Sequence, residues 1–435
     1  MKKIIFLFAL AGLLTFFIYD SQFYKLMLNY DQITKEHLPL NKNQQPLSQK
    51  EAHHVGSQKC QECHEEQHQD WHASRHSKMV QDVKKDPKVV VADFLKLPAD
   101  ANFKLEDVDY TIGGKFKQRY MIRSDENQTE NYRLGNKQWN TQTKQWQNFK
   151  PWGYWYKDAH PNNSQDFKTA NTCDGCHFVG YMSKEKRVEP AIGCESCHGP
   201  GSKHVKNPES LLYKASNVDS KRQNEVCLQC HMRNRDKRME SVSSKELGVD
   251  ARDYPKGYEP GKPLVDYKMI APFTLGVETK EFYANGAAKK NRSQGNEYIH
   301  SIMGKHGITC INCHDQHKLT NTAENSQGND LCMSCHTFGG VLGPHQNSLS
   351  AHTKHKENSK GSLCIECHMP KTAKHTKKSP LTVRSHMFGF TSPKKTLDYK
   401  MPKETNACYA CHKDKTLNQL QKDLEDWGMI NWDKR

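Results

Sequence analysis

The strongest hydrophobic signal in the chain is one run near its beginning. Two lysines precede Ile4–Tyr19, a stretch of 16 residues that are almost all apolar. A basic start followed by an apolar run is typical of an export signal. No small-x-small cleavage site follows, so we predict that residues 1–22 stay attached as a membrane anchor, although 16 residues is short for a span. By the positive-inside rule, the rest of the chain then lies in the periplasm, tethered to the inner membrane.

Alternating polar and apolar positions occur mainly between residues 101 and 165. The stretches "KFKQRYMIR" and "YRLGNKQWN" flank the polar turn "DENQTEN". This pattern predicts strands and a hairpin, and therefore a small β-rich lobe. Four tryptophans fall in this region: Trp139, Trp146, Trp152 and Trp155. We interpret them as a packed minor core, and the functional alternative is a docking face or a lid over a cofactor edge.

Helical spacing is clearest at the end of the chain. Leu417, Leu420, Leu424 and Trp427 repeat every three or four residues, and Thr416 is a suitable N-cap. We predict a helix in residues 416–435 that braces the structure. Between Cys230 and Cys310, the Gly- and Pro-containing "DYPKGYEPGKPLVDYKMIAPF" predicts an extended loop.

The composition leaves little aliphatic material for a core of 435 residues. Apolar residues make up 35% and the mean hydropathy is −0.91, while the charged fraction of 26% is ordinary. Disorder is therefore not indicated, and another component is expected to fill the interior. The net charge is +15, but the basic residues are dispersed, so no nucleic-acid partner is predicted. A polyanionic cofactor would also require this excess.

All 16 cysteines belong to eight C-x-x-C-H motifs. We number them motif 1 to motif 8 in chain order, and they consist of Cys60, Cys63 and His64; Cys173, Cys176 and His177; Cys194, Cys197 and His198; Cys227, Cys230 and His231; Cys310, Cys313 and His314; Cys332, Cys335 and His336; Cys364, Cys367 and His368; and Cys408, Cys411 and His412. This pattern is the signature of covalent haem c attachment.

The spacing has a physical reason. Two intervening residues bring both sulfurs to one turn, where they can bond the two vinyl groups of one porphyrin, and the histidine can then ligate the iron. Zinc sites need no histidine after each cysteine pair, redox motifs of this kind occur singly, and disulfide scaffolds are short and cysteine-dense. We therefore predict eight haem c groups, which would form much of the core and whose propionates would offset the basic charge.

Histidines outside the motifs can supply the second axial ligand of each iron. The candidates are His76, His204, His300, His306, His317, His352, His355 and His386. His204 follows a Gly-Pro-Gly turn only six residues after His198, so we expect it to ligate a neighbouring haem rather than its own. His37, His53, His54 and His375 are interpreted as solvated, and ligation by lysine or methionine remains open.

The motifs divide the chain into segments. We predict an anchor (1–22), a linker (23–55), a first haem segment (56–100), the β-rich lobe (101–165), a multihaem core (166–415) and the C-terminal helix (416–435). Successive first cysteines are spaced 21 and 33 residues apart from Cys173, and 22 and 32 apart from Cys310. Two trihaem blocks or a coincidence explain these spacings equally well.

The stretches "GSQKCQECH", "WHASRH", "IGCESCHGPGSKHV", "GITCINCHDQH", "CIECHMPK" and "RSHMFGF" resemble exported multihaem cytochromes of the cytochrome c-554 and doubled-CXXCH group, over most of residues 56–415. The resemblance implies a fold of mostly α-helices and irregular loops wrapped around closely stacked haems, largely with two histidine ligands. It also implies that His76, His204, His317 and His386 are distal ligands. Octahaem nitrite reductases of this wider group carry one C-x-x-C-K motif, which this sequence lacks.

We therefore expect an electron carrier outside the cytoplasm rather than a catalyst, with redox proteins and quinol-linked membrane donors as partners. The alternative is an octahaem oxidoreductase that acts on a small nitrogen or sulfur compound at one haem with an open coordination position. Motif 2 is the candidate for that haem, because no histidine lies between His177 and Cys194, and Lys184, Lys186 and Arg187 follow it. A third interpretation, a basic binding protein with passive haems, is disfavoured.

Overall fold

The computed structural model describes residues 52–123, 132–149, 168–209, 218–240, 252–271, 273–318, 328–339, 346–375 and 379–428. The predicted anchor, most of the predicted linker, Trp152 and Trp155 lie outside these residues. None of the helices within them has the length and apolar character needed to cross a bilayer.

The described helices are short and are separated by turns and extended loops. The α-helices are α1 (Ser57–Gln61), α2 (Glu65–Ala73), α3 (Thr169–Thr172), α4 (Asp174–His177), α5 (Tyr181–Lys184), α6 (Cys194–His198), α7 (Ser202–Lys206), α8 (Ser220–His231), α9 (Gln294–Tyr298), α10 (Ile302–Lys305), α11 (Asp330–Met333), α12 (Leu349–Thr353), α13 (Cys364–His368), α14 (Pro393–Asp398) and α15 (Leu417–Asp426). Single 3-10 turns comprise Pro87–Val89, Phe94–Lys96, Leu105–Asp107, Lys237–Glu240, Leu264–Asp266, Cys310–Asn312, Lys360–Ser362 and Lys403–Thr405. Helices of this length are not stable alone, so packing must hold them.

The strands form one substantial sheet and three small pairs. They are β1 (Val80–Asp82), β2 (Val108–Gly113), β3 (Lys117–Arg123), β4 (Tyr132–Leu134), β5 (Lys137–Asn140), β6 (Gln145–Asn148), β7 (Phe178–Val179), β8 (Glu189–Pro190), β9 (Asn234–Asp236), β10 (Lys268–Ile270), β11 (Lys371–Ala373) and β12 (Val383–Arg384). The sheet is antiparallel, with the order β1-β2-β3-β5-β6 and with β4 also on β3. It lies between motifs 1 and 2, where alternation predicts strands, but β1 falls within the segment predicted as the first haem segment.

One core of the sheet is aromatic. Trp139 pairs with Trp146 across β5 and β6, and both rings belong to a cluster with Phe94, Phe103 and Tyr120. The indole of Trp146 donates a hydrogen bond to the carbonyl of Asp93 at 2.9 Å. These tryptophans therefore serve as packing residues, which agrees with the minor-core interpretation.

A second core connects the sheet to two of the cysteine motifs. Met121 and Tyr132 of the sheet belong to the same buried cluster as Phe178 and Leu228, and the cysteines Cys173, Cys176 and Cys230 pack against it. The sheet thus supports the motifs directly, and motif 2 is attached to its inner edge.

The predicted C-terminal helix is present as α15. Thr416 caps it by accepting a hydrogen bond from Gln419, whose side chain accepts one in return from the backbone of Thr416. Leu417, Leu420 and Leu424 are buried on one face, and the helix packs against α14. Its spacing therefore encodes a brace, as the sequence suggests.

Candidate haem-binding sites

Each motif forms a single helical turn. In motifs 1, 2, 5, 6 and 8, the backbone N–H of the histidine donates to the carbonyl of the first cysteine at 2.9–3.0 Å. Motifs 3, 4 and 7 lie in α6, at the end of α8 and in α13. This geometry brings the two thiols and the imidazole to one local site, as covalent haem attachment requires. All 16 thiols are free of disulfides.

Six motif histidines face a second histidine from elsewhere in the chain. The ring centroids are separated by 6.1 Å for His64–His204, 6.2 Å for His231–His76, 6.3 Å for His198–His317, 6.3 Å for His314–His386, 6.4 Å for His368–His352 and 6.0 Å for His412–His355. Six of the eight predicted distal histidines are therefore brought to a motif histidine. His204 faces motif 1 rather than the adjacent motif 3.

The separation fits a metal ion held between two imidazoles. Two metal–nitrogen bonds of about 2.0 Å, added to two distances of about 1.1 Å from ring nitrogen to ring centroid, give about 6.3 Å. Direct ring stacking would be much closer, as for Phe116 and His375 at 3.6 Å. The facing histidines thus have the spacing that an iron with two axial histidines requires.

Several of these imidazoles are kept neutral by their surroundings. Burial lowers the pKa of His231 and of His386 to about 4. It also lowers the pKa values of His76 and His352. Because a histidine must be unprotonated to bind a metal, these environments favour ligation.

The other two candidates lie elsewhere. His300 contacts the ring of Phe273 at 5.1 Å, and His306 is exposed at the end of α10. Among the described residues, neither ring faces a motif histidine. The pair His68–His72 is also 6.2 Å apart, but these residues occupy successive turns of α2, so helix geometry explains their spacing.

Motif 2 differs from the six paired motifs. No histidine ring in the described part of the chain faces His177, and its buried Nδ1 makes no hydrogen bond there. Burial lowers the pKa of His177 to about 4, and the positive charges of Arg292 and Arg119 contribute to the shift. An opening of about 400 Å³ adjoins Cys176 and Cys230. The lysines that follow the motif do not face it as a group, since Lys184 donates to the carbonyl of Ala52 and Arg187 pairs with Asp174.

Neighbouring motifs approach each other through their cysteines. The pKa of one thiol is shifted by a thiol of the other motif between motifs 1 and 3, 2 and 4, 3 and 4, 4 and 5, 5 and 6, 6 and 7, and 7 and 8. Motifs 1, 3, 4, 5, 6, 7 and 8 thus form one continuous line. Motif 2 touches this line through motif 4.

Polar residues ahead of the motifs, which sequence reasoning missed, make direct contacts between motifs. Ser57, Asn224 and Asn329 each accept a hydrogen bond from the backbone N–H of the first cysteine of another motif. Each stands three residues before the first cysteine of its own motif. That repeated position, a small polar residue in "SQKC", "NEVC" and "NDLC", is the signal that could have revealed them.

Two family models match part of the chain. The model for cytochrome c554 and c-prime matches residues 59–107 and 126–199, and the model for the doubled CXXCH motif matches residues 188–236. Together they cover motifs 1 to 4.

Similar proteins are also multihaem cytochromes. The multiheme cytochrome MtrA of Shewanella baltica (strain OS185) is 24% identical over 186 residues, which is 39% of this chain and 53% of MtrA, so the chain spans about half the length of that relative. The crystal structure of the outer cell wall cytochrome OcwA superposes with a TM-score of 0.64 and 23% identity over 86% of each chain. An undecaheme cytochrome from the S-layer of Carboxydothermus ferrireducens has a TM-score of 0.46, at 18% identity, over 86% of this chain and 60% of its own. Taken with the motifs, these matches identify the chain as a multihaem c-type cytochrome.

Proposed function

We propose that this chain is an octahaem electron-transfer protein in which most irons are held between two histidines. The six facing histidine pairs, with centroid separations of 6.0–6.4 Å, carry this proposal. Bound haem c would supply one-electron redox chemistry. By occupying both axial positions, the paired histidines would exclude substrates from the iron and restrict these sites to electron transfer.

The chain brings the motifs close enough together for a relay. The line of motifs 1, 3, 4, 5, 6, 7 and 8 gives a route for one electron at a time, from a reduced donor protein at one end to an oxidised acceptor at the other. The ends of this line are open to solvent, because Cys63 of motif 1 and Cys411 of motif 8 are exposed. Partner proteins could therefore approach either end.

The location and partners follow from the same proposal. We infer a position outside the cytoplasm, with residues 1–22 as a membrane tether and quinol-linked membrane proteins as donors. The basic start and apolar run at Ile4–Tyr19 support this location.

A second candidate function rests on motif 2. Because His177 faces no described histidine, its haem would have an open axial position, and Arg119 and Arg292 would favour an anion there. This site would act on a small nitrogen or sulfur compound. Its place beside motif 4, off the main line, would let the relay exchange electrons with it.

The deciding experiment is spectroscopy on purified holoprotein. The mass should exceed that of the polypeptide by eight haems, and the oxidised iron should be almost entirely low-spin. A high-spin electron paramagnetic resonance signal that carbon monoxide or cyanide removes, and that disappears when both cysteines of motif 2 are replaced, would support the second candidate. A mass with fewer than eight haems would contradict the octahaem proposal.

A further inference from the structure

Asn224 and Asn329 make the same two-point contact at separate places in the molecule. The Oδ1 atom of Asn224 accepts from the N–H of Cys310 at 2.7 Å, and its Nδ2 donates to the carbonyl of Ile308 at 3.2 Å. The Oδ1 atom of Asn329 accepts from the N–H of Cys364 at 2.8 Å, and its Nδ2 donates to the carbonyl of Ser362 at 2.8 Å. In both cases the partner residues are the first cysteine of another motif and the residue two positions before it.

The position of each asparagine in its own motif is also the same. Both stand three residues before a first cysteine, so that Asn224 joins motif 4 to motif 5 and Asn329 joins motif 6 to motif 7. In each joined pair the two first cysteines are neighbours whose thiols shift one another's pKa values.

Ser57 repeats half of this arrangement between motifs 1 and 3. Its hydroxyl oxygen accepts from the N–H of Cys194 at 3.0 Å, and it donates to Glu189 instead of to a backbone carbonyl. Ser57 is 1% exposed. Its motif and motif 3 again have adjacent first cysteines, Cys60 and Cys194. Three motif pairs therefore share one polar contact.

Ordinary helix capping does not account for these side chains. Asn329 is the N-cap residue of α11, but its side chain makes no capping hydrogen bond to that helix. Asn224 lies in the interior of α8, where asparagine is unfavourable. The contacts instead hold two motif backbones at a fixed separation, and a two-point amide contact also fixes their relative orientation.

We propose that Ser57, Asn224 and Asn329 are positioning residues that set the separation of three haem pairs, at motifs 1 and 3, 4 and 5, and 6 and 7. The inference rests on the proposed function, since it presumes that these motifs carry haem. The residues act through the backbone of the partner cysteine, to which the porphyrin is attached. Electron exchange within a pair depends on that separation, so these side chains tune the relay without touching a haem iron.

The test compares Asn329→Ala and Asn224→Ala with Asn296→Ala in the full haem-loaded protein. Asn296 is a matched control, because it makes a similar two-point backbone contact with Arg233, at 2.7 and 3.1 Å, but does not join two motifs. All three variants lose two hydrogen bonds, so their melting temperatures should fall to a similar extent. Mass spectrometry establishes that every haem is still attached.

The informative readout is the bisignate circular dichroism in the Soret region, which arises from coupled porphyrins. If the three pairs contribute independently, each clamp variant should lose about one third of the amplitude and the double variant about two thirds. Asn329→Ser should recover part of the loss, because a serine hydroxyl accepts the equivalent N–H at Ser57. Inter-haem electron exchange after a fast reductant pulse should slow in the same variants.

Equal spectra for the clamp variants and Asn296→Ala, with all haems retained, would overturn the proposal and leave the asparagines a stabilising role only. Missing haem mass at motifs 4 to 7 in the unmodified protein would instead refute the proposed function. The two failures are therefore distinguishable.

Discussion

Replacing His317 by alanine tests the histidine pairing most directly. His317 faces His198 at a centroid separation of 6.3 Å, and the two rings are inclined by only 10°. Alanine has no group that can reach the iron, so one haem changes from six-coordinate to five-coordinate and becomes high-spin. We expect His317→Ala to produce one new high-spin centre per chain.

The size of the effect follows from the number of motifs. One of eight irons corresponds to about 12% of the total, so low-spin intensity in the electron paramagnetic resonance spectrum should fall by about that fraction. Cyanide should bind one additional site per chain relative to the unmodified protein and should restore the low-spin signal. The haem itself stays attached, because Cys194 and Cys197 are unchanged.

His306→Ala is the matched control. His306 is also a predicted distal ligand, but it is exposed and faces no motif histidine among the described residues. This variant should keep the spectrum and cyanide stoichiometry of the unmodified protein. If His317→Ala remains fully low-spin, or if His306→Ala shows the same change, inferring axial pairs from ring separations is wrong.

Three further predictions concern the relay and the stability of the fold. Replacing both cysteines of motif 4 should interrupt electron passage from motif 3 to motif 5, measured by flash reduction, whereas replacing both cysteines of motif 2 should leave it intact; equal effects would refute the branched order. Glu195→Gln should lower the stability by about 3 kcal/mol, because the buried carboxylate accepts backbone hydrogen bonds from Val55, Gly56 and Gly201, and an unchanged melting temperature would contradict this. Burial lowers the pKa of Lys268 to about 7, so between pH 7 and about 10 the unfolded chain binds a proton that the folded chain lacks, and stability should rise with pH by up to about 4 kcal/mol. Lys268→Met should raise the melting temperature at pH 7 and flatten this profile, and a profile as steep as before would exclude burial of the charge as its cause.

The sequence was sufficient to predict the local parts of the site. The C-x-x-C-H spacing predicts a single helical turn, and all eight motifs have it or lie in a helix. The Leu417 to Leu424 repeat predicts the C-terminal helix, and alternation between motifs 1 and 2 predicts the sheet. These features depend on residues within a few positions of each other.

The pairing of histidines could not be predicted, because it depends on how distant segments pack. His204 follows motif 3 but faces His64, 140 residues earlier, and His317 follows motif 5 but faces His198. Proximity to a motif was misleading for His306, which sits close to Cys310 in sequence and points to solvent. Motif spacing equates motif 4 with motif 7, whereas the Asn224 and Asn329 contacts equate motif 4 with motif 6.

The long sequence separation of the facing histidines has a consequence for how the molecule is assembled. A chain that emerges from its N-terminus exposes motif 1 well before His204, whereas His76 is present before motif 4, and His352 and His355 before motifs 7 and 8. Under the proposed pairing, the iron of motif 1 waits for 140 further residues to acquire its second axial bond, but three later sites find theirs already made. Premature ligands and oxidants therefore threaten the first-born site most, and each late histidine that docks closes a loop that draws the two halves of the chain together.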